Sequence, residues 1–277
     1  MVAYFGRPDE DLAQDATAVS GSAEDPSYLA ANIRSENPAK PAKLTTNDGW
    51  FLYEFAAPVT PQWTALIYQY LDPDLDVRIQ GNDTSDFSSP AYERQIVIPS
   101  KRLDGPANQR WTVNPWVYLD YEETPPSYQF WRLYIAAENS QPVCIGRWLL
   151  MSQLREIDMF YDGDGLSEDD QPTNLRDETE VGVKLVTVIG GPQRGLSYVW
   201  LGTDLSAGTD PQEALAFRQL HEAADGDARP FPIIPFGTND VLLVRPDTPN
   251  ASRVHRPGGY QSWAYSVREE SRGIPWP

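Results

Sequence analysis

The sequence is poor in the residues that most catalytic sites need, with one cysteine and two histidines among 277 residues. The lone cysteine, Cys144, excludes an intrachain disulfide and a metal cluster built from several cysteines. No G-x-S-x-G motif of a nucleophilic serine accompanies the histidines, His221 and His255. The glycine patterns that cradle phosphates are also missing from the sequence. We therefore expect a protein that is not an enzyme and that holds no cofactor.

Basic residues and long apolar runs are scarce as well. The chain has 22 Lys and Arg against 40 Asp and Glu, which gives a net charge of -18. Binding to nucleic acid or to an anionic membrane needs clustered Lys and Arg, so we expect neither. No run approaches the ~18 apolar residues of a membrane span, and the N-terminus has no apolar core of a signal peptide. We expect a protein made in a cytoplasm and not inserted in a membrane.

What the chain does have is proline, aromatic residues and short apolar runs. Its 25 prolines divide the sequence into segments that suit strands joined by turns better than long helices. Strand-like runs, each bounded by Pro, Gly, Asn or Asp, follow one another at residues 50–55, 63–70, 75–80, 94–98, 116–121, 130–136 and 143–151. Such a series without an intervening helix predicts an antiparallel β-sandwich.

Composition divides the chain into four parts. Residues 1–37 are small, polar and acidic, and they predict an extended N-terminal arm that orders against a neighbouring subunit or remains a tail. Residues 38–154 form the predicted sandwich. Residues 155–180 are so acidic that we expect a linker or an exposed hairpin. Residues 181–277 predict a second, smaller β domain, so the fold class is mainly β.

One helix is predicted in the second domain, over residues 211–225. Asp210 suits the N-cap, Pro211 suits the first helical position, and Glu213 completes a capping box. Gly226 is suited to end the helix.

A cluster of acidic residues gives the one candidate metal site. Asp162 and Asp164 are separated by glycine and followed by further carboxylates, and calcium prefers several oxygen ligands on a flexible loop. EF-hand spacing fails, however, because Leu166 occupies the fifth position and no Glu closes the loop. A solvated acidic turn is the first interpretation, and a calcium site at Asp162 and Asp164 is the second.

Two groups of residues are candidates for an interface. Aromatic residues are dense between positions 111 and 131, and exposed aromatic rings on a sandwich either stack on sugars or pack between subunits. Trp116 and Tyr118 are the interface candidates from this group. The second group comprises Arg253, Arg256 and Arg268, which we expect to pair with an acidic neighbour such as residues 158–180 of another copy.

Several motifs of the predicted sandwich form a familiar pattern. Residues 45–50 (TTNDGW) and 75–81 (LDVRIQG) are followed by FWRLYI at 130–135 and by VCIGRWLLM at 143–151. In these motifs, residues 38–151 resemble a galactose-binding-like, discoidin-type jelly roll of the kind found in tail proteins of tailed bacteriophages. Residues 181–270 resemble the companion β domain of such proteins.

The resemblance implies a non-enzymatic structural protein of a phage virion, placed in the tail tip or baseplate. It would be made in the host cytoplasm and would assemble around the tail axis as a homo-oligomer, with other phage tail proteins as partners. Two alternatives remain open. One is a carbohydrate-binding module that contacts a glycan on the host surface, and the other is a capsid decoration protein.

Overall fold

A computed structural model of the chain places its residues in two compact units. The sandwich unit comprises Asp9–Arg155 and Gly237–Leu242, and the second unit comprises Met1–Pro8, Glu156–Phe236 and Leu243–Pro277. The structure describes residues 2–38, 40–99, 114–119, 126–158, 166–171, 174–178, 184–188, 193–204, 220, 222–224, 229–235, 240–246, 252–255 and 260–269.

Strands dominate the described residues, which confirms the mainly β class. In chain order the strands are β1 (Val2–Phe5), β2 (Ala18–Gly21), β3 (Ala42–Lys43), β4 (Gly49–Val59), β5 (Trp63–Gln69), β6 (Asp76–Asn82), β7 (Tyr92–Val97), β8 (Trp116–Tyr118), β9 (Tyr128–Ile135), β10 (Cys144–Met151), β11 (Arg155–Asp158), β12 (Leu166–Gln171), β13 (Asn174–Glu178), β14 (Lys184–Val188), β15 (Gln193–Asp204), β16 (Phe231–Ile234), β17 (Leu242–Pro246), β18 (Ser252–His255) and β19 (Tyr260–Glu269). Short 3₁₀ helices span Pro8–Glu10, Leu12–Asp15 and Ala30–Arg34. No helix among the described residues is long and apolar enough to cross a membrane.

The sandwich unit is built from two antiparallel sheets. One has the strand order β2-β4-β9-β6-β7 and the other the order β3-β10-β5-β8. Side chains alternate between the two faces of a strand, so Val77 and Ile79 of β6 are buried between the sheets while Asp76 and Arg78 point outward. The stacked rings of Tyr53 and Trp148, with centroids 4.3 Å apart, join the two sheets across the core. The antiparallel sandwich predicted from the sequence is therefore present.

Residues 1–37, predicted as an extended arm, are folded in the structure. β1 pairs with β16 in the second unit, and from Asp9 onward the chain belongs to the sandwich unit. There the 3₁₀ helices Leu12–Asp15 and Ala30–Arg34 pack against β10, and Ala13 and Ile33 are fully buried in the core. The sequence did not indicate this folding, because the apolar residues of the segment are thinly spread among polar ones.

Residues 155–180, predicted as an acidic linker or hairpin, contain three strands. β12, with the sequence LSEDDQ, pairs with β15 at the end of an eight-stranded sheet, and β13 pairs with β14. Backbone pairing does not require buried side chains, and charged residues suit an edge strand because they discourage further pairing. A high content of acidic residues therefore does not exclude β-strands in this segment.

The second unit is organised around that eight-stranded sheet, whose order is β11-β1-β16-β17-β19-β15-β12, with β18 paired to β19. The predicted helix 211–225 lies mostly outside the described residues. Leu220 is helical and 1% exposed, and its carbonyl oxygen accepts a hydrogen bond of 2.8 Å from the Ala224 amide.

Candidate functional site

The outer face of the five-stranded sheet combines aromatic and charged side chains. Antiparallel register places residues on neighbouring strands directly opposite one another. One row across the sheet is Trp50, Tyr134, Arg78 and Gln95, and the next is Leu52, Arg132, Gln80 and Glu93. Rings and charges that are distant in sequence are thereby brought side by side.

A cleft of about 680 Å³ lies on this face, and we call it the sheet-face cleft. Its floor consists of Trp50, Arg78, Gln80, Glu93, Arg132 and Tyr134 from the sheet. Its wall is the segment between β6 and β7, through Ser85, Asp86, Phe87, Ser88 and Pro90. A volume of this size falls within the range of roughly 300–1,000 Å³ that is usual for small-molecule sites.

A chain of hydrogen bonds fixes the polar groups of the floor. The Arg132 Nε donates to Gln80 Oε1 at 2.7 Å, and Gln80 Nε2 donates to Glu93 Oε2 at 2.5 Å. The other Glu93 oxygen accepts from Arg78 Nη1 at 3.0 Å. Gln80, only 3% exposed, thus has both ends of its amide occupied, and the polar floor is ordered before any ligand arrives.

Arg78 is neutralised by two carboxylates. Its Nε and Nη2 bind Asp76 Oδ1 and Oδ2 at 2.9 and 2.6 Å, and Glu93 lies on its other side. The hydrogen bond from Arg78 holds the pKa of Asp76 below its usual value. A bidentate arginine–carboxylate pair has a well-defined geometry, so Arg78 is held in place on the open face.

Arg132 has a different environment. Its guanidinium carbon lies 4.3 Å from the ring centroid of Phe87 and 4.8 Å from that of Tyr134, and its Nη2 donates to the Phe87 carbonyl oxygen at 3.3 Å. Burial lowers the pKa of Arg132, although arginine stays protonated in proteins. Within the described residues Arg132 makes no ion pair.

The wall of the cleft is held by its own hydrogen bonds. Asp86 accepts from the Ser88 amide at 2.9 Å and from the Ser88 hydroxyl at 3.1 Å, and these bonds lower the pKa of Asp86. The Asn82 side-chain amide donates to the Asp86 carbonyl oxygen. Phe87 at the tip is 8% exposed because it packs on Arg132.

The predicted interface residues of the sandwich unit lie at another place. Trp116 and Tyr118 are on β8 and line a smaller cleft of about 390 Å³, which we call the edge cleft. Val97, 66% exposed, lines it as well. β7 and β8 are the end strands of their sheets, so the edge cleft lies along one edge of the sandwich.

The other predicted site residues belong to the second unit. Arg253 is on β18, opposite Trp263 of β19, and the half-buried Arg268 is on β19, opposite Gly195. Arg256 and the calcium candidates Asp162 and Asp164 lie outside the described residues. The pairing of these arginines with an acidic neighbour stays a prediction.

Sequence reasoning did not select the residues of the sheet-face cleft. The available signal was the i, i+2 spacing of Arg132 with Tyr134 and of Arg78 with Gln80, which puts each pair on one face of a strand. The register that joins the pairs is a long-range property.

The single cysteine is not activated as a nucleophile: burial raises the pKa of Cys144 to about 11, which keeps the thiol protonated at neutral pH. In the part of the chain that the structure describes, no group of three or more His, Cys, Asp or Glu is arranged to hold a metal.

Comparison with known proteins gives matches only among solved structures, since no protein-family model and no curated protein sequence matches the chain. The lectin domain of lectinolysin, complexed with Lewis B antigen, has a TM-score of 0.38 and 11% identity over 52% of this chain and 97% of its own. A family 32 carbohydrate-binding module of Clostridium perfringens, complexed with galactose, has a TM-score of 0.37 and 8% identity over 55% and 99%. A fucose-binding module of Streptococcus pneumoniae has a TM-score of 0.36 and 11% identity over 50% and 96%.

Proposed function

We propose that this protein binds carbohydrate in the sheet-face cleft. The observation that supports this most is the row in which Trp50 and Tyr134 are directly opposed, beside the polar chain from Arg132 to Arg78. An aromatic ring packs on the apolar face of a sugar, while fixed donors and acceptors bind its hydroxyl groups. The cleft offers both within one surface.

The polar groups of the cleft suit hydroxyl ligands. A sugar hydroxyl both donates and accepts, so it pairs equally with an arginine N–H and with a carboxylate oxygen. Hydrogen bonds to charged partners are roughly twice as strong as those between neutral groups. Because Gln80 and Glu93 are already ordered by their mutual hydrogen bond, binding costs little further side-chain entropy.

The same contacts favour binding over glycoside hydrolysis. Hydrolysis needs one protonated carboxyl as a general acid and a second carboxylate as base or nucleophile. Glu93 is occupied by Gln80 and Arg78, and the Ser88 hydrogen bonds keep Asp86 ionised by lowering its pKa. Asp86 is thus held ionised, and Glu93 is engaged by two hydrogen-bond donors, an arrangement that suits binding of a ligand.

The test is titration of the full chain with the glycans that a glycan array selects. Trp50→Ala should weaken binding about tenfold, which corresponds to about 1.4 kcal/mol of lost stacking. Phe130→Ala is the matched control, because Phe130 lies on the same face of β9 but opposite Glu54 and Asn82, in the next row. Equal affinity of both variants, or no glycan bound at high protein concentration, would contradict the proposal.

A structural subunit of a tailed-phage virion is the second candidate function. The edge cleft favours an assembly role, because exposed Val97 and the rings of Trp116 and Tyr118 adjoin two end strands. Under this proposal the protein forms a homo-oligomer in the tail tip or baseplate with other tail proteins, or decorates the capsid. Light scattering should then show a closed oligomer that Val97→Glu dissociates, and a strict monomer at low and high salt would speak against self-assembly.

A further inference from the structure

We infer that the sheet-face cleft selects saccharides that carry a carboxylate, and that Arg132 is the residue that receives it. This inference rests on the proposed carbohydrate-binding function and adds the ligand class. It comes from a comparison of the two arginines on the floor of the cleft. They lie on neighbouring strands, yet only Arg78 forms ion pairs with carboxylates of the protein within the described residues.

Arg78 is the ion-paired one. Asp76 binds it at 2.6 Å and Glu93 at 3.0 Å, so a ligand anion would have to displace a carboxylate that is already in place. The hydrogen bonds of Arg132 go to neutral oxygens, Gln80 Oε1 and the Phe87 carbonyl. Among the described residues no carboxylate lies within ion-pair distance of Arg132. Its positive charge is therefore available to a ligand.

Partial burial of the Arg132 guanidinium makes binding of an anionic ligand more favourable. Phe87 and Tyr134 both pack on the guanidinium of Arg132, at 4.3 and 4.8 Å. They remove water from a charged group, which disfavours the charge unless something compensates it. Aromatic faces compensate part of this cost through cation–π attraction. A ligand carboxylate compensates the rest, whereas a neutral hydroxyl offers less.

The remaining donors of Arg132 suit a carboxylate. Nε is used by Gln80 at 2.7 Å. Nη2 makes only the 3.3 Å bond to Phe87, and Nη1 makes none among the described residues. Together Nη1 and Nη2 form the end of the guanidinium fork that binds a carboxylate in bidentate fashion.

Trp50 is placed to pack on the ring of the same sugar. It is opposite Tyr134 while Arg132 is opposite Leu52, so Trp50 and Arg132 are diagonal neighbours, about 7–8 Å apart at the backbone. One sugar residue with its exocyclic carboxylate bridges such a span. The other charges lining the cleft are Arg78, Glu93 and Asp86, and Asp76 pairs with Arg78 beside them. Arginines and carboxylates are therefore close to balance here, in a chain of net charge -18.

The experiment compares matched acidic and neutral sugars on the full chain by calorimetry. The probes are trigalacturonate against its methyl ester, and sialyllactose against lactose. We expect at least one acidic member to bind ten or more times more tightly than its neutral counterpart. Arg132→Gln should abolish that preference, because it should lower the affinity for the acidic member far more than the affinity for the neutral one. Arg94→Gln, on exposed Arg94 of β7 outside the sheet-face cleft, removes the same charge and should leave the preference intact.

The outcomes separate this inference from the function on which it rests. If neutral and acidic sugars bind equally, or if Arg132→Gln keeps the preference, the inference is wrong and carbohydrate binding stands. If Arg94→Gln lowers the preference as much as Arg132→Gln, the effect is unspecific charge attraction, and the inference is again wrong. If no sugar of either kind binds, both fail. Should Arg132→Gln not fold, the ester comparison on the unmodified chain still tests the preference for a carboxylate, and its absence would show that the inference is wrong.

Discussion

The two sheets of the sandwich unit differ in what lies on their outer faces. In β9 of the five-stranded sheet, buried and half-buried residues alternate from Phe130 to Ile135, and the outward residues line a cleft. In β10 of the four-stranded sheet all eight residues are buried, because the 3₁₀ helices of residues 9–37 pack on it. Residues 9–37 cover one face, whereas the part of the chain that the structure describes places no comparable cover on the other.

The two faces also differ in the burial and ion pairing of their arginines. Arg147 of β10 is 2% exposed and pairs at 2.7 Å with Asp11, which is equally buried. Arg78 of β6, on the floor of the sheet-face cleft, is 37% exposed and pairs with two carboxylates, Asp76 and Glu93. The first pair connects residues 9–37, which we call the cover, to β10 of the four-stranded sheet. The second pair orders side chains on an exposed surface. The buried pair thus contributes to the packing of residues 9–37 on the four-stranded sheet, whereas the exposed pair lies on the face where we propose that carbohydrate binds.

Breaking the buried pair should have the largest effect on stability. Asp11→Ala leaves the Arg147 charge buried without a partner, and Arg147 Nε and Nη1 already lack hydrogen-bond partners. We expect a loss of about 3–5 kcal/mol in the free energy of unfolding, measured by chemical denaturation. Asp11→Asn is the matched control, since it keeps an oxygen for the Ala13 and Leu150 amides, and it should cost less. A loss below about 1 kcal/mol for Asp11→Ala would show that the cover is not tied to the sheet through this pair.

Shortening a buried side chain of the cover should have the next largest effect on the free energy of unfolding. Ile33 lies in the 3₁₀ helix Ala30–Arg34 and is fully buried. Ile33→Ala should cost about 2–5 kcal/mol, as expected for a core isoleucine. The partner measurement is Leu52→Ala on the open face, where Leu52 is half-buried and should matter less. Similar losses for both would remove the distinction between the two faces.

Removing Arg78 from the open face should affect glycan binding more than stability. Arg78→Ala should change stability far less than Asp11→Ala, because exposed ion pairs contribute little. It should weaken glycan binding, since Glu93 loses the hydrogen bond that orders it. Denaturation and calorimetry on the same sample separate the two effects. A large stability loss without any loss of affinity is the result that would count against a binding role for this face.

The smallest expected effect is a pH dependence on the open face. The hydrogen bond from Arg78 lowers the pKa of Asp76 in the folded state, so the folded state binds fewer protons at this group than the unfolded state. Its contribution to stability is therefore present above the unfolded pKa of about 3.9 and is lost as the pH falls through the lower folded value. Denaturation midpoints measured below pH 4 should decline less steeply in Arg78→Ala than in the unmodified chain, and equal slopes would contradict this.

Local patterns were enough to predict seven of the nine described strands of the sandwich, all except β2 and β3, and the mainly β class is confirmed. The run at 143–151 corresponds to β10 (Cys144–Met151), and the run at 130–136 corresponds to β9 (Tyr128–Ile135). Alternation and turn residues act over a few positions, so they can be recognised in one sequence.

Contacts between distant segments could not be predicted in this way. Asp11 and Arg147 are 136 positions apart, and nothing local to residues 1–37 indicates that they cover β10. The sheet-face cleft depends on the register of Trp50 with Tyr134, which is set by the packing of two complete sheets. In β12 the carboxylates obscured a strand whose pairing uses only the backbone.

Hydrogen exchange followed by mass spectrometry, with and without the best glycan from the array, would locate the ligand on the sandwich unit. We expect slower exchange in peptides covering β4, β6, β9 and the 83–91 segment, because a ligand in the sheet-face cleft contacts them. The region joined by the hydrogen bonds of Ser140 to Asp72, at the ends of β5 and β9, should be unchanged. Protection confined to that region, with none in the sheet-face cleft, would contradict binding of carbohydrate on this face.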